Sequence, residues 1–305
     1  MQISRLSQLP QSAKGTLYVL VGAVCISFSP LFVRLPDVGP TAAAFYRLLW
    51  GSVALFAVSF ARKDRILPSG RVLVPMLLAA AFFTGDLSCW HRSILYIGPG
   101  LATIIANFQV FLLALIGVFF LGERPGPRLA LSIPLAFAGL WMLLEIDLGR
   151  DLPTHVLAGV ALGFCTAAFY TGYILTLRRS QSLADRLPAV SNMAAISFMG
   201  TLFCALVATL QGESLAVPSL QSKLLLVVYG AGCQGLGWFL LSKGLPHLPA
   251  SRAGLLMLTQ PTLSFIWDVL LCGRPTGAVG YCGALLALFA ISLGVTDKGG
   301  TKKQA

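Results

Sequence analysis

Residues 98–121 read GPGLATIIANFQVFLLALIGVFFL, 24 positions without a charged side chain. A helix of that length rises far enough to cross a hydrocarbon core of about 30 Å. The stretch does not alternate as a barrel strand would, and it is too long for the core of a cleaved signal. Residues 250–271, ASRAGLLMLTQPTLSFIWDVLL, form a second apolar stretch whose positions echo the first. At an offset of 151, Ala102 falls on Ala253, Gln109 on Gln260, Leu112 on Leu263, Val118 on Val269, Gly122 on Gly273 and Gly126 on Gly277. A fixed offset near half the chain length marks an internal repeat.

Working outward, ten such stretches follow one another: 16–35, 40–61, 72–95, 98–121, 128–146, 154–177, 188–210, 222–245, 250–271 and 276–296. They take up most of the 305 residues and leave no room for a soluble catalytic domain. Composition agrees, with 56% hydrophobic residues, 11% charged residues and a mean hydropathy of +0.81. Soluble domains are about a quarter charged. The expected fold is an all-α integral membrane protein of ten transmembrane helices. Residues 1–15 are polar and no cleavage site follows the first apolar run, so that run is expected to remain as the first helix.

Five helices per half is an odd number, so the second copy would enter the membrane from the opposite side. The chain divides into a first five-helix repeat over 1–150 and a second, inverted repeat over 151–305, the plan of many secondary transporters. Net charge is +11. With the N-terminus inside, sixteen of the 22 basic residues fall on the cytoplasmic side; Arg34, Arg92, Arg150, Lys223 and Arg274 fall outside and Arg47 within a helix. That asymmetry follows the positive-inside rule and places both termini in the cytoplasm, with the basic excess facing anionic lipid and not nucleic acid. The seven cysteines lie in or beside apolar stretches without a CxxC pair and read as small hydrophobes.

The run from Ala102 to Gly126, with Leu121-Gly122-Glu123-Arg124 near its end, resembles the fourth helix of EamA-type transporters of the drug/metabolite transporter superfamily. Gly85-Asp86-Leu87-Ser88-Cys89-Trp90-His91-Arg92-Ser93-Ile94 and the pair Tyr46-Arg47 are similar to the same group. The resemblance covers the whole chain. It implies a five-plus-five inverted bundle that moves small metabolites through a central cavity lined by helices 1, 3 and 4 and their counterparts 6, 8 and 9. The sequence departs from the family at Cys272-Gly273-Arg274, where Gly-Glu is usual, and at Val110, opposite Pro261 of the second copy.

Asp86 is the sharpest candidate, because a carboxylate near the middle of an apolar helix must face a cavity or a partner. Its expected role is to take a cationic group or a coupling proton. Trp90, one turn on, shares its face, and the spacing recurs as Gln234 and Trp238 in the second half. An indole beside a carboxylate suits an ammonium. Asn107, Gln109 and Gln260 supply amides, with Thr259 adjacent, and Pro261 frees a backbone carbonyl; Tyr170, Thr171 and Tyr173, with Ser27 and Ser29, are further lining candidates. His91 and Arg47 are candidates for proton or charge coupling, Arg47 also for a substrate carboxylate.

Other classes fit less well. Gly230-Ala231-Gly232-Cys233-Gln234-Gly235 spells GxGxxG, but it lies in an apolar stretch with no acidic residue about 20 positions on, so close helix packing explains it better. Asp86 and Asp268 could serve an intramembrane aspartyl enzyme, yet neither carries the Tyr-Asp or Gly-x-Gly-Asp signature, and Asp268 is expected near the outer end of its helix, hydrated or paired. No HExxH, GxSxG or ATP-binding loop occurs, so neither a metal nor a cofactor is expected. The sequence therefore predicts a non-enzymatic secondary transporter of the inner membrane, working by alternating access. Its cargo would be an amino acid, amine or related zwitterion, with export the expected direction and uptake or exchange, including of nucleotide-like compounds, the alternative. Glycine-rich faces allow a homodimer.

Overall fold

The computed structural model describes residues 10–121, 126–144, 153–248 and 250–296. Glu123 and Arg124 of the family-like motif lie outside them. Among the described residues every regular element is helical, as hydrocarbon requires, since a membrane-spanning helix satisfies its backbone hydrogen bonds within itself.

The helices are α1 (Gln11–Ser27, continued by Leu31–Arg34), α2 (Pro40–Ala61), α3 (Gly70–Ile97), α4 (Pro99–Ala106 and Gln109–Leu121), α5 (Pro127–Leu143), α6 (Thr154–Ser182), α7 (Ala189–Gln211), α8 (Leu220–Gly244), α9 (Ala250–Met257 and Thr259–Cys272) and α10 (Ala278–Val295). Eight segments are long and apolar enough to cross a membrane. The regions of α5 and α10 are apolar but shorter, Pro127–Leu143 and Ala278–Gly294. Proline opens α2, α4 and α5, where its missing N–H costs nothing. Left-handed Gly212 and Gly273 close α7 and α9.

Four apolar stretches are not continuous α-helices, α1 being interrupted at residues 28–30. The α4 stretch breaks at Asn107-Phe108 and the α9 stretch at Leu258, positions separated by the repeat offset. In α8 the backbone widens into a π-helix over Tyr229–Gly237 before the α-helix resumes at Trp238.

Helices pack across the two halves of the chain: α1 on α8, α2 on α7 and α8, α3 on α6, α4 on α9 and α5 on α10. The described helices of the first half therefore pack against those of the second. One end of the bundle gathers the start of α1 and the end of α8, where Gly15 meets Gly244 and His247; call it the near end. The far end gathers the starts of α2 and α4 and the ends of α7 and α9, where Glu213 reaches Thr41 and Asp268 reaches Gly100. Large apolar side chains such as Phe119, Phe120, Leu210 and Leu285 are exposed on the outside of the bundle, where a bilayer covers them.

The near end carries a clasp between loops. Ser69, before α3, hydrogen-bonds the Asp185 carboxylate, and Arg65 donates to the carbonyls of Asp185 and Arg186. The Ser69 hydroxyl, then Arg71 and Arg65, hold the Asp185 carboxyl below the usual carboxylate range. A depressed carboxyl stabilises the fold above the unfolded-state pKa of about 3.9, and that stabilisation is lost as pH falls through the folded value. Asp185→Asn should thus melt below the wild type at pH 7, and the gap should close on acidification toward pH 3; melting curves of detergent-purified protein across that range check it.

Candidate functional site

A cavity of about 410 Å³ lies inside the bundle, walled by side chains from α1, α2, α3, α4, α6, α8 and α9. Asp86, Trp90, Asn107, Gln109, Tyr170, Tyr173, Trp238, Gln260 and Arg47 all line it. On α3, Phe83, Asp86, Leu87 and Trp90 recur at three- and four-residue spacing, so one face delivers them together. Asp86 is only 6% exposed. Among the described residues no hydrogen bond or close ion pair reaches its carboxylate, and the charge that acts on it is that of Arg47.

Three of the lining residues also carry a polar atom that is fully buried and unpartnered among the described residues: the indole N–H groups of Trp90 and Trp238 and the amide oxygen of Gln109. Asn107 spends one amide hydrogen on the Thr103 carbonyl at 2.8 Å, which helps satisfy the backbone at the α4 break. Tyr173 stacks on Phe83 at 4.6 Å between centroids and Tyr170 lies against Tyr173 at 5.5 Å, giving the cavity an aromatic side. A carboxylate and amide side chains among aromatic rings around one space describe a site for a small polar molecule with an apolar or aromatic body.

Of the expected residues, Gln234, His91, Ser27, Ser29, Thr171 and Thr259 stand outside the cavity lining. Gln234 does not line the cavity; it is fully buried, accepts from Arg47 Nε at 3.1 Å and donates to Ser197 Oγ at 3.3 Å. The π-helical turn carries it onto Arg47. His91 is also fully buried, with Nδ1 2.9 Å from the Pro40 carbonyl and Nε2 3.0 Å from Tyr229 Oη. Ser27 is used by Trp267 and Ser264. Helices α2 and α8 meet closely because Gly51 and Gly230 lack side chains: a Cβ on Gly51 would stand 2.3 Å from Gln234 Cγ, and one on Gly230 2.8 Å from the Arg47 carbonyl. The GxGxxG run is thus a packing surface.

Asp268 is 1% exposed and lies at the far end, outside the cavity lining. Its carboxylate accepts from the Gly100 N–H at 2.9 Å, capping α4, and lies 3.8 Å from Arg274, which donates to the Ile97 carbonyl. Gly98, at φ +87°, supplies the left-handed turn that this approach needs. Glu213 makes the equivalent contact on α2, accepting from the N–H groups of Thr41 and Ala42 at 2.8 and 2.9 Å, with Arg92 3.5 Å away. Two carboxylates of the second half thus seal helix N-termini of the first half, where the helix dipole favours them. The cavity extends the other way, past Arg178, Leu245 and Met257 toward the near end. Asp86 and Asp268 do not share a site, which removes the paired-aspartate arrangement of an aspartyl enzyme.

Sequence reasoning did not single out Tyr229, Phe83 or Glu213. Tyr229 sits five residues before Gln234, a spacing that an α-helix puts on different faces; the glycines of 230–237 were the available sign of an irregular turn.

Comparison with known proteins gives one family. The model of the EamA-like transporter family matches residues 13–145 and again 157–296. The chain is 25% identical over 289 residues to the uncharacterized transporter YwfM of Bacillus subtilis (strain 168), spanning 92% of this chain and 95% of the relative. It is 24% identical over 171 residues to the uncharacterized inner membrane transporter YhbE of Escherichia coli (strain K12), spanning 53% of each. A solved crystal structure superposes with a TM-score of 0.68 over 94% of this chain and 99% of that one at 19% identity, which shows a shared fold.

The far-end seal makes a stability prediction. Asp268→Ala leaves the buried Gly100 N–H without its acceptor and should cost about 1–3 kcal/mol. Asp268→Asn, which keeps an acceptor, should lose less. Melting temperatures of the two variants against wild type check the order.

Proposed function

The chain belongs to the EamA-like transporter family, and on that premise we propose that it is a secondary transporter of the inner membrane that carries a small amino acid, amine or related zwitterion by alternating access. As a multi-pass membrane protein built from apolar helices, it has a place for cargo only inside the bundle. The observation that carries the reading is the cavity shared by both halves of the chain, with the desolvated Asp86 carboxylate set among Trp90, Trp238 and Tyr170. Asp86 takes the ammonium of the cargo or a coupling proton. Trp90 and Trp238 wall the body of the molecule, and Asn107, Gln109 and Gln260 orient it.

Two further observations support alternating access. The same family model matches twice, over 13–145 and 157–296, in keeping with two five-helix repeats and ten spans. The breaks at Asn107-Phe108 and Leu258 fall at matching positions of the two copies and border the cavity. Broken helices at membrane depth are a feature of transporter binding sites. With both termini in the cytoplasm, as the loop charges require, the far end faces outward. The cavity then reaches toward the cytoplasm and the Glu213 and Asp268 contacts close the outer side, an arrangement ready to load from within and in keeping with export. Opening outward would release those contacts.

Flux measured in proteoliposomes tests the reading. Wild-type protein should move a labelled amino acid or amine down its gradient, and Asp86→Asn should cut that flux at least about tenfold, as expected for loss of a charge-assisted contact. The variant should melt as a folded protein and the cargo should be recovered chemically unchanged. Full flux in Asp86→Asn would remove Asp86 from the site, and a chemically altered cargo would return the question to enzymes. A net inward preference under physiological gradients would make the protein an uptake carrier.

A further inference from the structure

Arg47 stands about two turns into α2 and is 4% exposed. A guanidinium at that depth is tolerated only when it is bonded or turned to a polar cavity. Its Nε donates to Gln234 Oε1 at 3.1 Å and its Nη1 to Tyr229 Oη at 3.2 Å. Both acceptors belong to the second half of the chain and both are tied from behind. Gln234 Nε2 donates to Ser197 Oγ, and Tyr229 Oη meets His91 Nε2, whose Nδ1 faces the Pro40 carbonyl. A carbonyl only accepts, so the network assigns the His91 proton to Nδ1. Nε2 then accepts from Tyr229, and the Tyr229 oxygen accepts from Arg47. Each of these hydrogen bonds then has one donor and one acceptor.

The π-helix explains how one helix provides both acceptors. In an α-helix, side chains five residues apart point about 140° away from each other. Hydrogen bonding from i to i+5 widens the turn and brings the fifth residue back over the first. Over Tyr229–Gly237 this sets Tyr229 and Gln234 on one guanidinium, while Gly51 and Gly230 let the backbones close to the needed distance.

The clamp occupies Nε and Nη1. Nη2 has no hydrogen-bond partner among the described residues, and Arg47 lines the cavity. Arg47 Cζ lies over the face of the Trp90 ring, 5.5 Å from its centroid. The free edge of a guanidinium only donates. Its complement is an anionic group with paired acceptor oxygens. Asp86, in the same cavity, is the opposite pole.

We propose that Arg47 Nη2 receives the carboxylate of the cargo, and that Tyr229 and Gln234 are positioning residues that aim Arg47 at it. The transported class is thereby a carboxylate-bearing zwitterion, with its ammonium toward Asp86. This inference rests on the cavity being the transport site.

The test compares each free L-amino acid with its methyl ester, which keeps the ammonium and loses the charged carboxylate. Binding to the detergent-purified full-length protein is read as a titrated rise in melting temperature and converted to Kd. Wild-type protein should bind the acid at least about tenfold more tightly than the ester, because a site built to hydrogen-bond a group rejects the analogue lacking it. Tyr229→Phe retains the ring stacked on Phe32 and should shrink that ratio several-fold through the acid alone, leaving the ester Kd within about twofold. Arg47→Gln should abolish the ratio. A structural role for Tyr229 would weaken acid and ester alike, and that outcome overturns its assignment. A wild-type ratio near one overturns the proposal without any variant having to fold, and leaves Asp86 and an amine cargo standing. If neither acids nor esters bind, the substrate class under Proposed function fails and this inference fails with it.

Discussion

The buried guanidinium of Arg47 is the constraint to which much of the interior answers. A charge that cannot leave an apolar bundle must be matched in place, and the penalty for an unmatched one is several kcal/mol. The matching here is distributed. Three rings, Phe83, Trp90 and Tyr229, lie within 5.8 Å of its Cζ. Two acceptors come from a helix whose regular winding is given up to supply them. Two glycines let that helix approach. The irregular stretch of α8, the glycine run and the burial of His91 all follow from one cation on α2.

The fold was largely legible because hydrocarbon enforces it. Apolar stretch lengths and loop charges are read by the membrane itself, so the stretches anticipated an all-helical membrane protein, of whose described segments eight are long and apolar enough to cross, and the discontinuity near Gln260-Pro261. The sequence did not reveal that two of the stretches form shorter helices, or that α8 contains a π-helix. Both depend on packing between helices distant in the chain, which a hydropathy window does not contain.

The site was legible to the extent that it used α-helical spacing. Asp86 and Trp90 share a face because they are four residues apart, and the structure places both on the cavity. Gln234 and Trp238 have the same spacing but separate, Trp238 to the cavity and Gln234 to Arg47, because the π turn shifts the register between them. Tyr229 was invisible for the same reason. Asp268 was expected near the end of its helix, hydrated or paired, and it lies there beside Arg274; its capping of α4 was not legible, nor was that of α2 by Glu213, because a carboxylate capping a helix from another part of the chain leaves no local pattern.

The pairing of helices across the two halves also bears on how the protein is made. When α5 leaves the ribosome, the first half contains Arg47 without its acceptors, and the starts of α2 and α4 without their caps. Those partners, Glu213, Tyr229, Gln234 and Asp268, are synthesised only after about half of the chain is already in the membrane. Native contacts of such long sequence separation form late and slow folding. The first five helices must therefore wait in the bilayer as an incomplete assembly with polar groups unmet, a stage at which insertion machinery or a chaperone has something specific to hold.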